Sequence, residues 1–113
     1  MEAINTSDFP VEGRLVEIVV EGKQVAKGYL YLLPDGQGDE PKAYITGIFV
    51  PVEERHKGYG KMLMRRLIEE AITAGCRMIV GIVPHGCEHM RKLYATEESG
   101  FVSYGDAFRK AIS

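Results

Sequence analysis

The sequence predicts one α/β (α+β) domain, residues 1–113, in which a mixed β-sheet is flanked by helices. A chain of 113 residues is long enough for one hydrophobic core and too short for two domains. Three segments with strand character come first, and helix and strand patterns alternate after them. A hairpin-rich start that leads into a β-α-β unit requires strands in both directions, so this order predicts a mixed sheet.

The first three strands are marked by β-branched residues and by the turn signals between them. They are expected over residues 14–20, 25–33 and 43–50. Glu21-Gly22 is a turn signal that predicts an antiparallel hairpin of the first two strands. A loop of turn-forming residues covers 34–41, and Pro51 ends the third strand because proline cannot donate a ladder hydrogen bond.

The second half of the chain alternates helix and strand. Apolar residues three and four apart predict a long amphipathic helix after the third strand, and Gly75 is well placed to end it. The helix presents two adjacent apolar stripes, made of Leu63, Leu67 and Ala71 and of Met64, Ile68 and Ile72. The remaining expected elements are a buried strand over 78–83, a helix over 87–96, a strand over 100–104 and a last, edge strand over 108–112.

Bulk composition excludes several classes of function. The 14 basic and 16 acidic residues give a net charge of −2, which is not the footprint of a nonspecific nucleic-acid binder. No run approaches the roughly 18 apolar residues of a membrane span, and residues 1–8 do not resemble a secretory signal, so a cytoplasmic protein without a membrane partner is expected. Cys76 and Cys87 lack CxxC spacing and are interpreted as reduced thiols, with Cys76 in the core. His85 and His89 show no third ligand, so no metal site is predicted.

The most informative segment connects the third strand to the long helix. It reads Arg55-His56-Lys57-Gly58-Tyr59-Gly60-Lys61. The N-terminus of a helix has N–H groups without intrahelical partners and carries partial positive charge. Gly58 and Gly60 lack the side chains that would keep a bulky anion away from that backbone. The loop therefore predicts a phosphate or pyrophosphate site.

Plainer interpretations of the same residues stay open. The two glycines also suit an ordinary tight turn before a helix, and Arg55 and Lys57 either contact phosphate, position the loop or are simply solvated. Glu53-Glu54 and Glu97-Glu98 are expected to be solvated.

Two familiar phosphate-binding loops do not fit this segment. A P-loop requires G-x-x-x-x-G-K-[ST], but Gly60-Lys61 is followed by Met62. A dinucleotide-binding fingerprint requires a third glycine at the position of Leu63. The loop belongs to neither class.

Arg55-x-x-Gly58-x-Gly60 resembles the R/Q-x-x-G-x-G/A motif of the GNAT acetyltransferases. The strand before it, the helix after it, and the later Leu93-Tyr94 and Gly100-Phe101 extend the resemblance over roughly residues 25–105. It implies an N-acetyltransferase that uses acetyl-CoA as acyl donor, without a metal, and a primary amine of a small molecule or peptide as acceptor. It also implies a splayed sheet, in which a β-bulge separates the third strand from the next parallel one and pantetheine lies in the gap.

The resemblance also implies roles for individual residues. The pyrophosphate would be bound by Arg55, His56, Lys57, Gly58, Tyr59, Gly60 and Lys61. A backbone N–H near Phe49–Val50 would polarise the thioester carbonyl. Tyr94, near the start of the strand after the second helix, would protonate the departing thiolate. The alternative for Tyr94 is an ordinary half-buried aromatic residue. The base that deprotonates the amine is left open between a water chain and His85.

This chain departs from the family pattern in three places. Five residues separate Tyr94 from Gly100, two more than usual, and Cys87 and Met90 stand where the family often has Asn and Ala. The family's first strand and paired helices, which help form the acceptor side, are expected to be missing. A non-catalytic CoA-binding or protein-interaction module on the same fold is therefore the rival interpretation. An exposed edge strand would allow a homodimer.

Overall fold

The computed structural model describes residues 3–6, 8, 11–33, 41–83, 88–95, 100–104 and 107–112. It confirms the predicted α/β fold with a mixed sheet. The strands are β1 (Glu12–Val20), β2 (Lys23–Leu33), β3 (Lys42–Phe49), β4 (Met78–Ile82), β5 (Val102–Tyr104) and β6 (Ala107–Ala111). The helices are α1 (Tyr59–Thr73) and α2 (Glu88–Ala95), and a 3₁₀ turn covers Val52–Glu54.

The sheet has six strands in the order β1-β2-β3-β4-β6-β5. Only β3 and β4 are parallel neighbours, and the other four adjacent pairs are antiparallel. The prediction that the last strand lies at the edge is wrong, because β6 lies between β4 and β5. Strand β6 pairs with β4 on the side that β3 leaves free, and so supplies backbone hydrogen-bond partners to that edge of β4. Its other side pairs with the three-residue β5, which is therefore the edge strand.

Helix α1 packs against β2 at close range. A Cβ at Gly28 of β2 would lie 3.2 Å from Leu67 Cδ1 and 3.5 Å from Leu63 Cδ2. Because the glycine has no side chain, the helix approaches the strand backbone directly. Gly75, with φ +85°, ends the helix as predicted, in a Schellman arrangement that includes a 3.0 Å bond from Cys76 N–H to the Ala71 carbonyl.

The second apolar stripe of α1 is only partly buried. Leu63, Met64, Leu67 and Ala71 are buried, whereas Ile72 is 43% exposed. At about 100° per residue, the buried positions span about 100° of the helix circumference, and Ile72 lies about 80° beyond Met64. The second stripe is therefore buried at Met64 and exposed at Ile72.

Both helices cover the same face of the sheet. One row of paired residues crosses β2, β3, β4 and β6, and its members share a face because directly paired residues lie on the same side of a sheet. The row consists of Leu30, Ile45, Gly81 and Phe108. The α1 contact at Gly28 is two residues from Leu30, and Tyr94 of α2 lies on Gly81. Neither helix combines the length and the apolar character that a bilayer span requires, within the part of the chain described.

The core lies between this face and the helices. Its fully buried members include Leu30, Leu32, Ile45 and Ile79. Cys76 is 2% exposed, which confirms its predicted place in the core, and burial raises the pKa of its thiol.

We predict that Gly28→Val lowers the free energy of unfolding by about 1–3 kcal/mol, because the added side chain overpacks the α1–β2 contact. Gly13→Val in β1 is the matched control, since a Cβ there would meet Tyr31 Cε1 at an ordinary 3.7 Å. Chemical denaturation of both variants checks the prediction. Equal stabilities of the two variants would contradict a close α1–β2 contact.

Candidate functional site

The parallel strands β3 and β4 part after four residue pairs. Their register runs from Lys42 opposite Met78 to Ile45 opposite Gly81. Strand β3 continues to Phe49, but none of its described residues beyond Ile45 has a partner in β4. The strands therefore separate at the end where β3 leads into the loop, and the predicted splayed sheet is confirmed.

A β-bulge in β3 coincides with this separation. Lys27 and Tyr29 of β2 are two residues apart, whereas their partners Phe49 and Thr46 are three residues apart. Gly47, inside the bulge, has φ +65°, and a Cβ there would lie 2.7 Å from Tyr29 Cδ2. Both the backbone conformation and the lack of space require glycine at this position.

The loop after β3 is anchored back onto the strand. The 3₁₀ turn is closed by a 2.9 Å bond from Glu54 N–H to the Pro51 carbonyl. The Nε–H of Arg55 donates to the Val50 carbonyl at 3.0 Å. One nitrogen of the predicted phosphate ligand Arg55 thus positions the loop.

Two residues of the loop have left-handed backbone conformations. His56 has φ +66°, which is uncommon for a residue with a side chain. Gly58, with φ +87°, is the N-cap of α1, and apart from its two chain neighbours no heavy atom of the described residues lies within 4 Å of where its Cβ would stand. The backbone at Gly58 is therefore open to an approaching ligand.

The first turn of α1 presents backbone donors at this opening. Met62 N–H makes the first intrahelical bond, to the Gly58 carbonyl at 3.1 Å, so the N–H groups of Gly58, Tyr59 and Gly60 precede the helical ladder. No described side chain caps them. Gly60 itself has no left-handed strain, and its missing Cβ would lie 3.5 Å from Leu93 Cδ2 of α2. Backbone donors arranged in this way at a helix N-terminus can bind an anion.

Glu54 is buried, contrary to the expectation that Glu53-Glu54 is solvated. It is 8% exposed, whereas Glu53 is exposed as expected. Its carboxylate accepts hydrogen bonds from Lys57 Nζ at 3.0 Å and from Lys23 Nζ at 3.2 Å. These bonds hold the pKa of Glu54 below its usual value, and the carboxylate raises the pKa of Lys57.

Tyr94 lies in the last turn of α2 and not at the start of the following strand. It is fully buried, stacked on Phe108 at 5.3 Å between centroids and edge-on to Phe101 at 5.0 Å. Its hydroxyl oxygen lies 2.6 Å from where a Cβ of Gly81 would stand. Because Gly81 is the last β4 residue paired with β3, the hydroxyl lies where the two strands part. Burial raises the pKa of this phenol, which therefore stays protonated at neutral pH.

The structure thus brings the end of β3, the loop and the start of α1 together, with Tyr94 beside the gap. Sequence reasoning missed Gly47, Gly81 and Glu54. A glycine inside a strand pattern indicates a bulge or a close approach, and this signal was available for both glycines. Glu54 gave no such signal, because one of its two partners, Lys23, is 31 residues away.

Not all of the predicted residues belong to the part of the chain that the structure describes. His85, Cys87 and Glu97-Glu98 lie outside the described residues, as does the side chain of His89. Within the described part of the chain, no three His, Cys, Asp or Glu side chains are grouped as metal ligands.

Comparison with known proteins agrees with this architecture. The model of the acetyltransferase (GNAT) family matches residues 2–101. No curated protein matches the chain. Among solved structures, a ribosomal-protein-alanine N-acetyltransferase from Brucella melitensis biovar Abortus is 27% identical, with a TM-score of 0.66 over 73% of this chain and 58% of its own.

Two further structures share the fold at lower identity. An acetyltransferase from Bacillus cereus is 21% identical, with a TM-score of 0.69 over 91% of this chain and 75% of its own. The PaiA N-acetyltransferase from Thermoplasma acidophilum, solved with coenzyme A, is 16% identical, with a TM-score of 0.70 over 88% of this chain and 61% of its own. The chain thus spans 58% to 75% of the length of these three proteins. Since the family model covers nearly the whole chain and the splayed sheet and glycine loop occupy the matched region, the protein belongs to the GNAT family of acetyltransferases.

Proposed function

We propose that the protein transfers an acetyl group from acetyl-CoA to a primary amine. The observation that carries the proposal is the gap between β3 and β4, because the strand that leaves β4 there leads through the loop into the N-terminus of α1. The thioester of acetyl-CoA would lie in this gap between the backbones of the two strands. The pyrophosphate of the same molecule would reach the N-terminus of α1. The likeness to a fold solved with coenzyme A supports the same ligand.

The loop fits a pyrophosphate chiefly through its backbone. Gly58 leaves the approach open, and the N–H groups at the start of α1 are donors with the favourable end of the helix dipole behind them. Arg55 and Lys57 add positive charge while bonded to the Val50 carbonyl and to Glu54. The binding surface that we propose comprises Arg55, His56, Lys57, Gly58, Tyr59, Gly60 and Lys61.

The reaction needs an oxyanion donor and two proton transfers. The amine nitrogen attacks the thioester carbonyl carbon, and a backbone N–H near Phe49–Val50, where β3 has left β4, would stabilise the oxyanion. The carbon–sulfur bond then breaks, the sulfur takes the hydroxyl proton of Tyr94, and the phenolate regains a proton from water. The proton released by the amine passes to water or to another base, for which His85 is a candidate.

A non-catalytic CoA-binding module is the second candidate function. The observation that favours it is the complete burial of Tyr94, which would have to reach the sulfur from within the core. Calorimetric titration with CoA, followed by a thiol-release assay on a panel of amines, separates the two functions. Acetyl transfer to an amine supports the enzyme, and CoA binding without turnover on any amine supports the module.

We predict that Gly58→Ala weakens acetyl-CoA binding at least about tenfold, because a side chain at φ +87° distorts the N-cap backbone that would hold the anion. Gly75→Ala at the other end of α1 is the matched control, since it has φ +85° and is equally open. Each variant should lose about 1–2 kcal/mol of stability. Calorimetry checks the affinities, and equal losses of affinity in both variants would place the site elsewhere.

We predict that Tyr94→Phe lowers kcat about 10²-fold with little change in acetyl-CoA affinity, because it removes the proton and keeps the ring. Tyr31→Phe, on the opposite sheet face and 43% exposed, is the control. Steady-state rates on any amine that the parent accepts provide the measurement. An unchanged kcat would remove Tyr94 from the mechanism and leave water, or a hydroxyl such as that of Tyr104, as the donor.

A further inference from the structure

Glu54 is the one charged side chain that is buried among the described residues. A buried carboxylate is retained in a fold only when charge and hydrogen bonds compensate its lost hydration. Here both compensating groups are ammonium ions, Lys57 Nζ at 3.0 Å and Lys23 Nζ at 3.2 Å. The two bonds hold its pKa below the usual value, so it remains charged at neutral pH.

The three residues of this cluster come from different parts of the site. Lys23 is the first residue of β2, directly after the β1–β2 turn, and Glu54 ends the 3₁₀ turn. Lys57 lies inside the loop, between the two left-handed residues His56 and Gly58. The Glu54 carboxylate therefore links the start of β2 to the middle of the loop.

The loop conformation needs such a link. A non-glycine residue at φ +66° is disfavoured unless its surroundings enforce it. The bond from Arg55 to the Val50 carbonyl fixes the residue before His56, and the Glu54–Lys57 bond fixes the residue after it. His56 is thus held from both sides, next to the N-cap of α1.

We infer that Glu54 is a positioning residue for the acyl donor: its carboxylate, held by Lys23, keeps Lys57 and the loop in the conformation that presents the α1 N-terminus to the CoA pyrophosphate. The inference rests on the proposed function. Glu54 itself would not touch the ligand, and its contribution is a loop that is ordered before binding.

Simple electrostatics predicts the opposite effect. A carboxylate close to the loop repels an anionic ligand and occupies the Lys57 ammonium, so its removal should tighten CoA binding. Positioning predicts that its removal weakens binding, because the loop must then be ordered at the expense of affinity. The direction of the change distinguishes the two roles.

The experiment compares Glu54→Gln with Glu53→Gln in the full chain. Both variants remove one negative charge from adjacent positions, but only Glu54 is buried and bonded to the two lysines. We expect Glu54→Gln to raise the Kd for CoA and the KM for acetyl-CoA about tenfold, which corresponds to about 1.4 kcal/mol. The kcat at saturating acetyl-CoA should stay within about twofold of the parent, because the reacting groups are unchanged. Glu53→Gln should leave all three constants near those of the parent.

Lys23→Met keeps the inference testable if Glu54→Gln does not fold. The Lys23 side chain is 60% exposed, and its loss removes one of the two bonds to the carboxylate. We expect about a threefold higher Kd, within the range of a partly exposed ion pair. An unchanged Kd in a folded Lys23→Met variant would overturn the inference.

The remaining outcomes separate this inference from the function on which it rests. A parent protein that does not bind CoA would overturn both. A parent that binds CoA, with a Glu54→Gln variant that binds equally well or more tightly, would overturn the positioning role alone.

Discussion

The end of the pairing between β3 and β4 is the constraint on which the rest of the site depends. Pairing stops at Ile45 and Gly81, and the bulge at Gly47 turns the remainder of β3 away. The part of β3 that has left β4 leads into the loop and then into α1. On the other side of the gap, Gly81 has no side chain, and this allows the Tyr94 ring to lie against β4. Two glycines within strands, which weaken a sheet in general, here accommodate the bulge of β3 and the ring of Tyr94 on the two sides of the gap.

The loop combines an open backbone with side chains that stabilise the protein itself. Arg55 and Lys57, the cations that its sequence offers to a phosphate, are bonded to the Val50 carbonyl and to Glu54. In the positioning role that we infer, these bonds hold His56 in its left-handed conformation and orient the backbone donors at Gly58 for a ligand. Preorganised donors lose little entropy on binding, so backbone N–H groups held in this way would suit a highly charged ligand.

Local patterns allowed most of the fold to be predicted. The periodicity of α1, its end at Gly75 and the hairpin of β1 and β2 depend on neighbouring residues, and all were predicted from the sequence. Failures occurred where distant segments decide the outcome. The place of β6 depends on which strand edge remains unpaired, and the buried Glu54 is bonded to Lys23, which is distant in the sequence. The loop was recognised because a glycine pair before a helix is a local signal, whereas the position of Tyr94 depends on how α2 packs on Gly81.

The most direct test of this account is an amide chemical-shift titration of the isotope-labelled protein with CoA. If the helix terminus binds CoA, the largest changes occur at the amides of Gly58, Tyr59 and Gly60, and a second group occurs at Phe49 and Val50 beside the gap. A different basic region offers a clear alternative, a surface depression of about 490 Å³ near the start of β4. Its lining residues are Met78, Gly100, Val102, Arg109, Lys110 and Ala111. Changes confined to that depression, with the loop amides unmoved at saturation, would contradict the assignment of the helix terminus as the CoA site.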